Sequence, residues 1–346
     1  MDLASKRIDF EGPEQAVDYF LNAGWTDGLP VVPPTEEKVV QFLTAANLDP
    51  REILGAIPER NRIFTAEKVA INAVMAGCVP KYFPVVTTAI RAVCKPEFGL
   101  HGVSSSTSGM GLFLIINGPV VKQLGINARQ NLFGPGNRAN ATIGRAVRLV
   151  MHNLGGKEFD RSCFGHPGKY TYCVAEDEDT LWEPLHVMRG LTRETSAVTV
   201  MAAEGPSQIQ NHTAKKAEDI LRTIGDRMRS FGGFNFSLVG DTECAVIIAR
   251  EHYETLIAEG WEKSSIKEYL YEHASRPRAD FKTGGVMEGP IVPEDRSIFL
   301  KAVSSPEKIL LISGGGVAGR YSLFIPGYAG QGRAVTESMV ASCSIG

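Results

Sequence analysis

The sequence predicts an α/β fold, a layered body on a mixed sheet with an N-terminal helical arm. Three observations carry that reading. Amphipathic helical stretches alternate with strand-like stretches along the chain. Several of the strands, such as LFLII at 112–116 and KILLI at 308–312, are continuous aliphatic runs, the mark of strands buried on both faces. Glycine is frequent, at 36 residues, and 19 prolines punctuate the chain, so tight turns and close backbone approaches are expected.

The elements follow in order. PEQAVDYFLNAG reads as a first helix closed by Gly24. WTDGLPVVPPT follows as an extended arm, because Pro33 and Pro34 block a regular helix. Thr35 opens a second helix, EEKVVQFLTAAN, and residues 1–62 read together as an N-terminal arm. TAEKVAINAVMAG is a helix capped by Thr65 and ended by Gly77, and YFPVVTTAIRAVC is another. Residues 112–116 form a buried strand, PVVKQLG a short helix, and residues 138–154 a long helix. KYTYCVAED and SAVTVMAAEG read as strands. AKKAEDILRTIGDRMRS is a helix, FNFSLVG and CAVIIA are strands, and REHYETLIAEGW is a helix. KILLISGGG and RYSLFIPG close the series as strands. Placing Leu114-Ile115-Ile116 over Val246-Ile247-Ile248 brings the flanking helices into rough register. That suggests two duplicated α/β units, with two unrelated units as the alternative. The expected partition is 1–62 for the arm, 63–205 for a first α/β unit and 206–346 for a second with the C-terminal strands.

Composition bounds the partners. A net charge of −3 over 346 residues argues against nucleic acid, which needs a basic surface. No apolar run approaches the roughly 20 residues of a membrane span. The opening MDLASKRIDFEG lacks a secretory apolar stretch, so a cytoplasmic location is expected. The six cysteines form no C-x-x-C pair and no zinc-like spacing.

The chemistry-bearing residues lie in Gly-flanked loops. FGPGNRAN leads into the long helix. There Asn137, Arg138 and Asn140 stand at a helix N-terminus, where free N–H groups and a partial positive charge gather. At 100° per residue Ile143, Val147, Val150 and Leu154 form one stripe. Arg138, Thr142 and Arg145 fall on nearly the opposite side. The set could hold a carboxylate or phosphate, or it could simply cap the helix and face water. LHGVSSSTSGMG sets His101 near hydroxyls that include Ser106. CFGHPGKYTYC sets His166 and Lys169 about a Pro-Gly turn before a strand. Either histidine could move a proton, and Lys169 could stabilise developing charge. SGGGVAGRYSLFIPGY carries Arg320, Tyr321 and Ser322 as donors in an anion-binding nest. Each stretch also has a plain reading as a hydrogen-bonded turn. None is a Walker loop or a G-x-G-x-x-G fingerprint, so no cofactor is named.

Two sets of blocks carry a family resemblance. WTDGLPVVPPTEEKV is similar to a segment of bacterial proteins grouped with a seleno- or cysteine-protein family named for a U-G-S-C motif. INAVMAGCVPKYFPVV, FGPGNRANATIGRA, PGKYTYC and AGRYSLFIPG resemble recurrent blocks of a largely uncharacterised bacterial family of about this length. The resemblance implies no reaction and no catalytic residues. The chain ends ASCSIG without U-G-S-C or C-G-S-C, which speaks against a selenoprotein-like redox role.

The expectation is an enzyme of hydrolase or lyase type on a small anionic, carboxylate-bearing substrate. Asn137, Arg138, Asn140, Arg145, Arg320, Tyr321, Ser322 and Ser106 would bind it, and His101, His166 and Lys169 would act on it. A thiol redox enzyme using Cys343 with Cys163 or Cys173 is one alternative. A non-enzymatic ligand-binding or partner subunit is the other, and a homodimer is compatible with each.

Overall fold

The computed structural model describes residues 1–156, 159, 161–233, 236, 242–328, 330 and 332–340. The fold is α/β with mixed sheets, and it forms two compact units that interleave along the chain. The first comprises Met1–Glu176, His186–Ala202 and Gln331–Gly346, and the second Asp177–Leu185 and Ala203–Gly330. The expected partition is linear; the strands Ile309–Ser313 and Tyr321–Pro326 fall in the second unit as expected, while the arm and the segment after Gly330 do not follow it. Here the arm belongs to the first unit, and so does the C-terminal segment from Gln331.

The first unit is built on a four-stranded sheet in the order Val335–Ser338, Ala197–Ala203, Gly111–Asn117, Cys173–Ala175. All seven residues of Gly111–Asn117 are buried, as the aliphatic run requires. The helices Ala66–Met75, Phe83–Val93 and Arg138–Leu154 pack in this unit, and Thr65 caps the first of them through Lys68 N–H. The long helix buries Ile143, Val147 and Val150 along the predicted stripe. Its other side receives the arm. Arg145 binds Asp27, His152 contacts the Gly24 carbonyl at 2.9 Å, and Asn153 donates to the Trp25 carbonyl at 3.0 Å. Glu67, buried in the next helix, accepts from the N–H groups of Ala4 and Ser5 at 2.9 and 2.7 Å. Those bonds explain why residues near the start of the chain are held to this unit.

The second unit has its own four-stranded sheet, ordered Ile309–Ser313, Cys244–Ile248, Tyr321–Pro326, Ser207–Gln210. Helices Ala217–Met228, Arg250–Ala258 and Lys263–His273 pack over one apolar cluster with it. Trp182 fixes the inserted segment 177–185 in that cluster. Its indole N–H donates to the Trp261 carbonyl at 2.8 Å, and its ring meets Tyr253 edge-on at 4.8 Å. The strand expected over 234–240 lies outside the described residues apart from Phe236.

The two sheets repeat one plan. In each, a central strand has a parallel neighbour that comes next in that sheet along the chain: Gly111–Asn117 with Cys173–Ala175, and Cys244–Ile248 with Ile309–Ser313. A third strand lies on the other side of the centre, and a short edge strand pairs antiparallel with the third. Ile116 and Ile248, which the overlay sets on one another, make matching backbone bonds. Glu176 N–H donates to the Ile116 carbonyl and Gly314 N–H to the Ile248 carbonyl, both at 3.1 Å. The edge strands share a register too. Val335 faces Val200 and Ser338 faces Ala197, while Ser207 faces Phe324 and Gln210 faces Tyr321. In chain order, however, the edge strands are exchanged. Ser207–Gln210 follows the third strand of the first sheet but completes the second, and Val335–Ser338 follows the third strand of the second but completes the first.

Candidate functional site

The mouth of the long helix resolves as a cap. The Asn137 side chain accepts from Asn140 N–H at 3.0 Å and donates to the Gly125 carbonyl at 2.8 Å. Asn140 is buried and spent on the chain: it accepts from Asn127 N–H at 2.7 Å and donates to the Asn127 and Cys173 carbonyls. Arg138 donates through two nitrogens to the Gly77 carbonyl, at 3.1 and 2.9 Å. That carbonyl follows the C-terminus of helix Ala66–Met75, where a cation is favoured. Arg145 forms a two-pronged ion pair with Asp27, at 2.8 and 2.7 Å, and also donates to the Pro30 carbonyl. In this structure the four residues expected to bind substrate are engaged by the chain itself. Their polar groups are complementary to carbonyls and a carboxylate of the arm and neighbouring turns.

A different pair of predicted loops does converge. Gly109 lies so close to Gly165 that a methyl on it would stand 2.5 Å from the Gly165 nitrogen. A methyl on Gly111 would meet the His166 ring at 3.0 Å. Cys163 N–H donates to the Thr107 carbonyl at 2.7 Å, which ties the loops by backbone. Lys169 donates to Ser162 Oγ at 2.8 Å and to the Phe159 carbonyl at 3.1 Å. Arg148, buried on the long helix, reaches the same carbonyl at 3.2 Å. The guanidinium and the ammonium therefore flank one oxygen. Ser106 and Ser108 share a hydroxyl–hydroxyl bond of 2.8 Å. With Ser104, Arg148 and Lys169 they line a cavity of about 10 Å³, room for one water-sized group. Arg60 reaches this neighbourhood as well, donating to Ser105 Oγ and lying 5.7 Å from the Phe159 ring centre.

His166 Nδ1 accepts from Gly168 N–H at 3.1 Å. In a neutral ring that leaves the proton on Nε2. His101 is exposed on the short helix Leu100–Ser105, and its backbone carbonyl accepts from the Ser104 and Ser105 hydroxyls. Sequence reasoning missed Arg148. It sits between the polar face and the apolar stripe, and its partner Phe159 comes from beyond the helix.

The second unit accounts for the remaining predicted donors. The nest at Gly319 and Arg320 is filled by Glu251, whose carboxylate accepts both N–H groups, at 2.6 and 2.8 Å. Those bonds hold its carboxyl below the usual range. The Arg320 guanidinium donates to the Ala214 carbonyl. Tyr321 sits with its ring against His212. Ser322 is buried, with its hydroxyl 2.8 Å from His252 Nδ1, and His252 Nε2 stands 3.2 Å from the Asn211 carbonyl. Since a carbonyl only accepts, Nε2 carries the proton and Nδ1 accepts from Ser322. The pair is a buried, satisfied structural lock, and Arg320 and Ser322, expected to bind a ligand, are here bonded within the chain.

Burial pushes the His252 pKa down. Between that lowered value and the ordinary histidine value of about 6.5, the unfolded chain binds more protons than the folded one. Stability is therefore expected to be full above about pH 6.5 and to fall as pH drops toward the folded pKa. Thermal melts of wild type and His252→Gln across pH 5 to 8 check this, and the variant should lose that part of the pH dependence.

The thiol reading has little to work with. Cys173 is buried on its strand, and burial pushes its thiol well up. Cys163 is exposed on the converging loop, and Cys343 lies outside the described residues. Among the described residues no helix is long and apolar enough to cross a membrane. No protein-family model matches the chain, and no curated protein matches it either.

Proposed function

We propose that the first unit carries the site of an enzyme acting on a small carboxylate-bearing substrate, of hydrolase or lyase type. One observation supports the reading above the others: Arg148 and Lys169 converge on a single carbonyl oxygen beside a cluster of serine hydroxyls. Two cationic donors aimed at one oxygen form the geometry that binds a carboxylate or a developing oxyanion. In this reading a substrate oxygen takes the place of the Phe159 carbonyl. The 10 Å³ cavity is too small for that as it stands. Entry requires the Phe159 carbonyl to give up its place while Arg148 and Lys169 keep theirs. His166, neutral with its proton on Nε2, then donates a hydrogen bond to the developing charge on the leaving group. Ser106 orients the substrate.

The test is a binding titration with a series of small mono- and dicarboxylates. Loss of one charge-assisted bond costs about 1.5–3 kcal/mol, so Lys169→Met should weaken binding roughly 10- to 150-fold. His166→Asn should leave binding and abolish turnover in a panel followed by proton NMR. An unchanged carboxylate response in Lys169→Met would sink the site. Binding without turnover across the panel would turn the reading to a non-enzymatic ligand-binding protein.

A further inference from the structure

In the glycine-rich stretch SGGGVAGR, Gly319 and Arg320 hold the Glu251 carboxylate through their N–H groups. The other half of the stretch, 313–316, leaves the carboxyl end of strand Ile309–Ser313. It does so beside the parallel strand Cys244–Ile248 and the helix Arg250–Ala258 that follows it. Crevices at such strand ends are where α/β sheets bind ligands.

Ser313 is 3% exposed, and its hydroxyl has no hydrogen-bond partner among the described residues. A buried polar group in that state costs stability and calls for a reason. Register gives its direction. Ser313 pairs with Ile248, and alternation puts both on the face of Ile309 and Leu311. Those residues belong to the apolar cluster that helix Arg250–Ala258 joins through Tyr253 and Leu256. The hydroxyl therefore points to the helix side of the sheet, at the level where the helix begins.

The helix start is uncapped. Ala249 stands at the N-cap with no side-chain bond, and the N–H groups of Arg250 and Glu251 meet no acceptor among the described residues. A methyl on Gly315 would stand 3.4 Å from Ala249 Cβ, so the loop runs against the N-cap. The N–H groups of Gly315 and Gly316 are likewise without an acceptor among the described residues. Ala249, Arg250, Gly315 and Gly316 are all part-exposed, which leaves the spot open to solvent. In the first sheet the positions matching Ala249 and Gly314 are Asn117 and Glu176, whose side chains bond to each other at 2.7 Å. Here a methyl and a hydrogen replace that pair. The neighbouring carboxylates are engaged: Glu251 by the nest, Glu254 by Arg250 at 2.8 Å, and Asp177 by the Asp179 N–H at 3.2 Å.

We propose that this spot in the second unit binds a phosphate group, held by the amides of Arg250, Glu251, Gly315 and Gly316 and by the Ser313 hydroxyl. A helix N-terminus favours an anion, and a carboxylate offers only about four lone-pair sites to these five donors. The site is independent of the carboxylate site proposed above.

The experiment titrates the full chain calorimetrically with inorganic phosphate, and with acetate for comparison, at constant ionic strength. Phosphate should bind at least 10-fold more tightly than acetate. Ser313→Ala should weaken phosphate roughly 10-fold or more, the scale of one hydrogen bond to a charged group. It should keep or raise the melting temperature, because no group in the chain loses a partner. Ala249→Asp places a carboxylate at a position whose φ of −79° and ψ of 164° already suit a cap. It should raise the melting temperature and abolish phosphate binding, since the built-in acid takes the same amides. Lys169→Met should leave phosphate binding unchanged, so this result and the carboxylate result can fail separately. No phosphate binding to wild type at millimolar concentration, acetate binding as tightly as phosphate, full phosphate affinity in Ser313→Ala or in Ala249→Asp, or its loss in Lys169→Met would each overturn the proposal.

Discussion

Asp27→Asn is expected to destabilise the first unit by about 1.5–3 kcal/mol, the scale of losing a charge-assisted bond in a part-buried ion pair. The pair is part-buried, with the Asp27 side chain 9% and the Arg145 side chain 16% exposed. Its geometry is two-pronged, through Nε and Nη2 of Arg145. The variant leaves a guanidinium in place with no acid against it, while its bonds to the Pro30 and Leu29 carbonyls remain. Urea unfolding measures the loss. Formate should restore part of the stability in Asp27→Asn and do little for wild type, because it supplies the missing carboxylate. Equal stability of variant and wild type would show that the arm is held by its other contacts alone.

Gly118→Ala should be at least as damaging. Gly118 sits at φ +85°, which costs an L-residue roughly 1–2 kcal/mol. The added methyl would also stand 2.4 Å from the Thr195 carbonyl oxygen and 2.8 Å from Ser196 Cα. Both are backbone atoms and cannot swing aside, so overpacking adds about 1–3 kcal/mol. The same denaturation experiment reads it. Gly125→Ala is the matched control, with a left-handed φ of +66° and open space around the new methyl. It should show the conformational cost alone, and equal losses in the two variants would remove the steric part of the argument.

The fold class was legible because its strongest signals are local. Gly111–Asn117 and Cys244–Ile248 are buried along their whole length and read as aliphatic runs. Thr35, Thr65 and Asn137 cap helices as their positions suggested. The exchanged edge strands were not legible. SQIQ and VTES are short and largely polar, and only partners far along the chain make them strands. The candidate site was half legible. Each converging loop stood out by its glycines and polar residues, but their meeting depends on packing between remote segments. Periodicity placed Arg138 and Arg145 on a polar face. It could not tell water, a ligand and the chain's own arm apart, because all three satisfy a guanidinium equally well.

The exchange of edge strands also fixes an order on biosynthesis. A ribosome delivers Ala197–Ala203 well before Val335–Ser338, the segment that covers its outer edge. Throughout that interval the nascent strand presents unsatisfied N–H and C=O groups, a template for any extended peptide nearby. Premature termination anywhere between them would release a polypeptide with that edge permanently open. Such products should be prone to aggregate, whereas full-length translation closes the edge from within the same molecule.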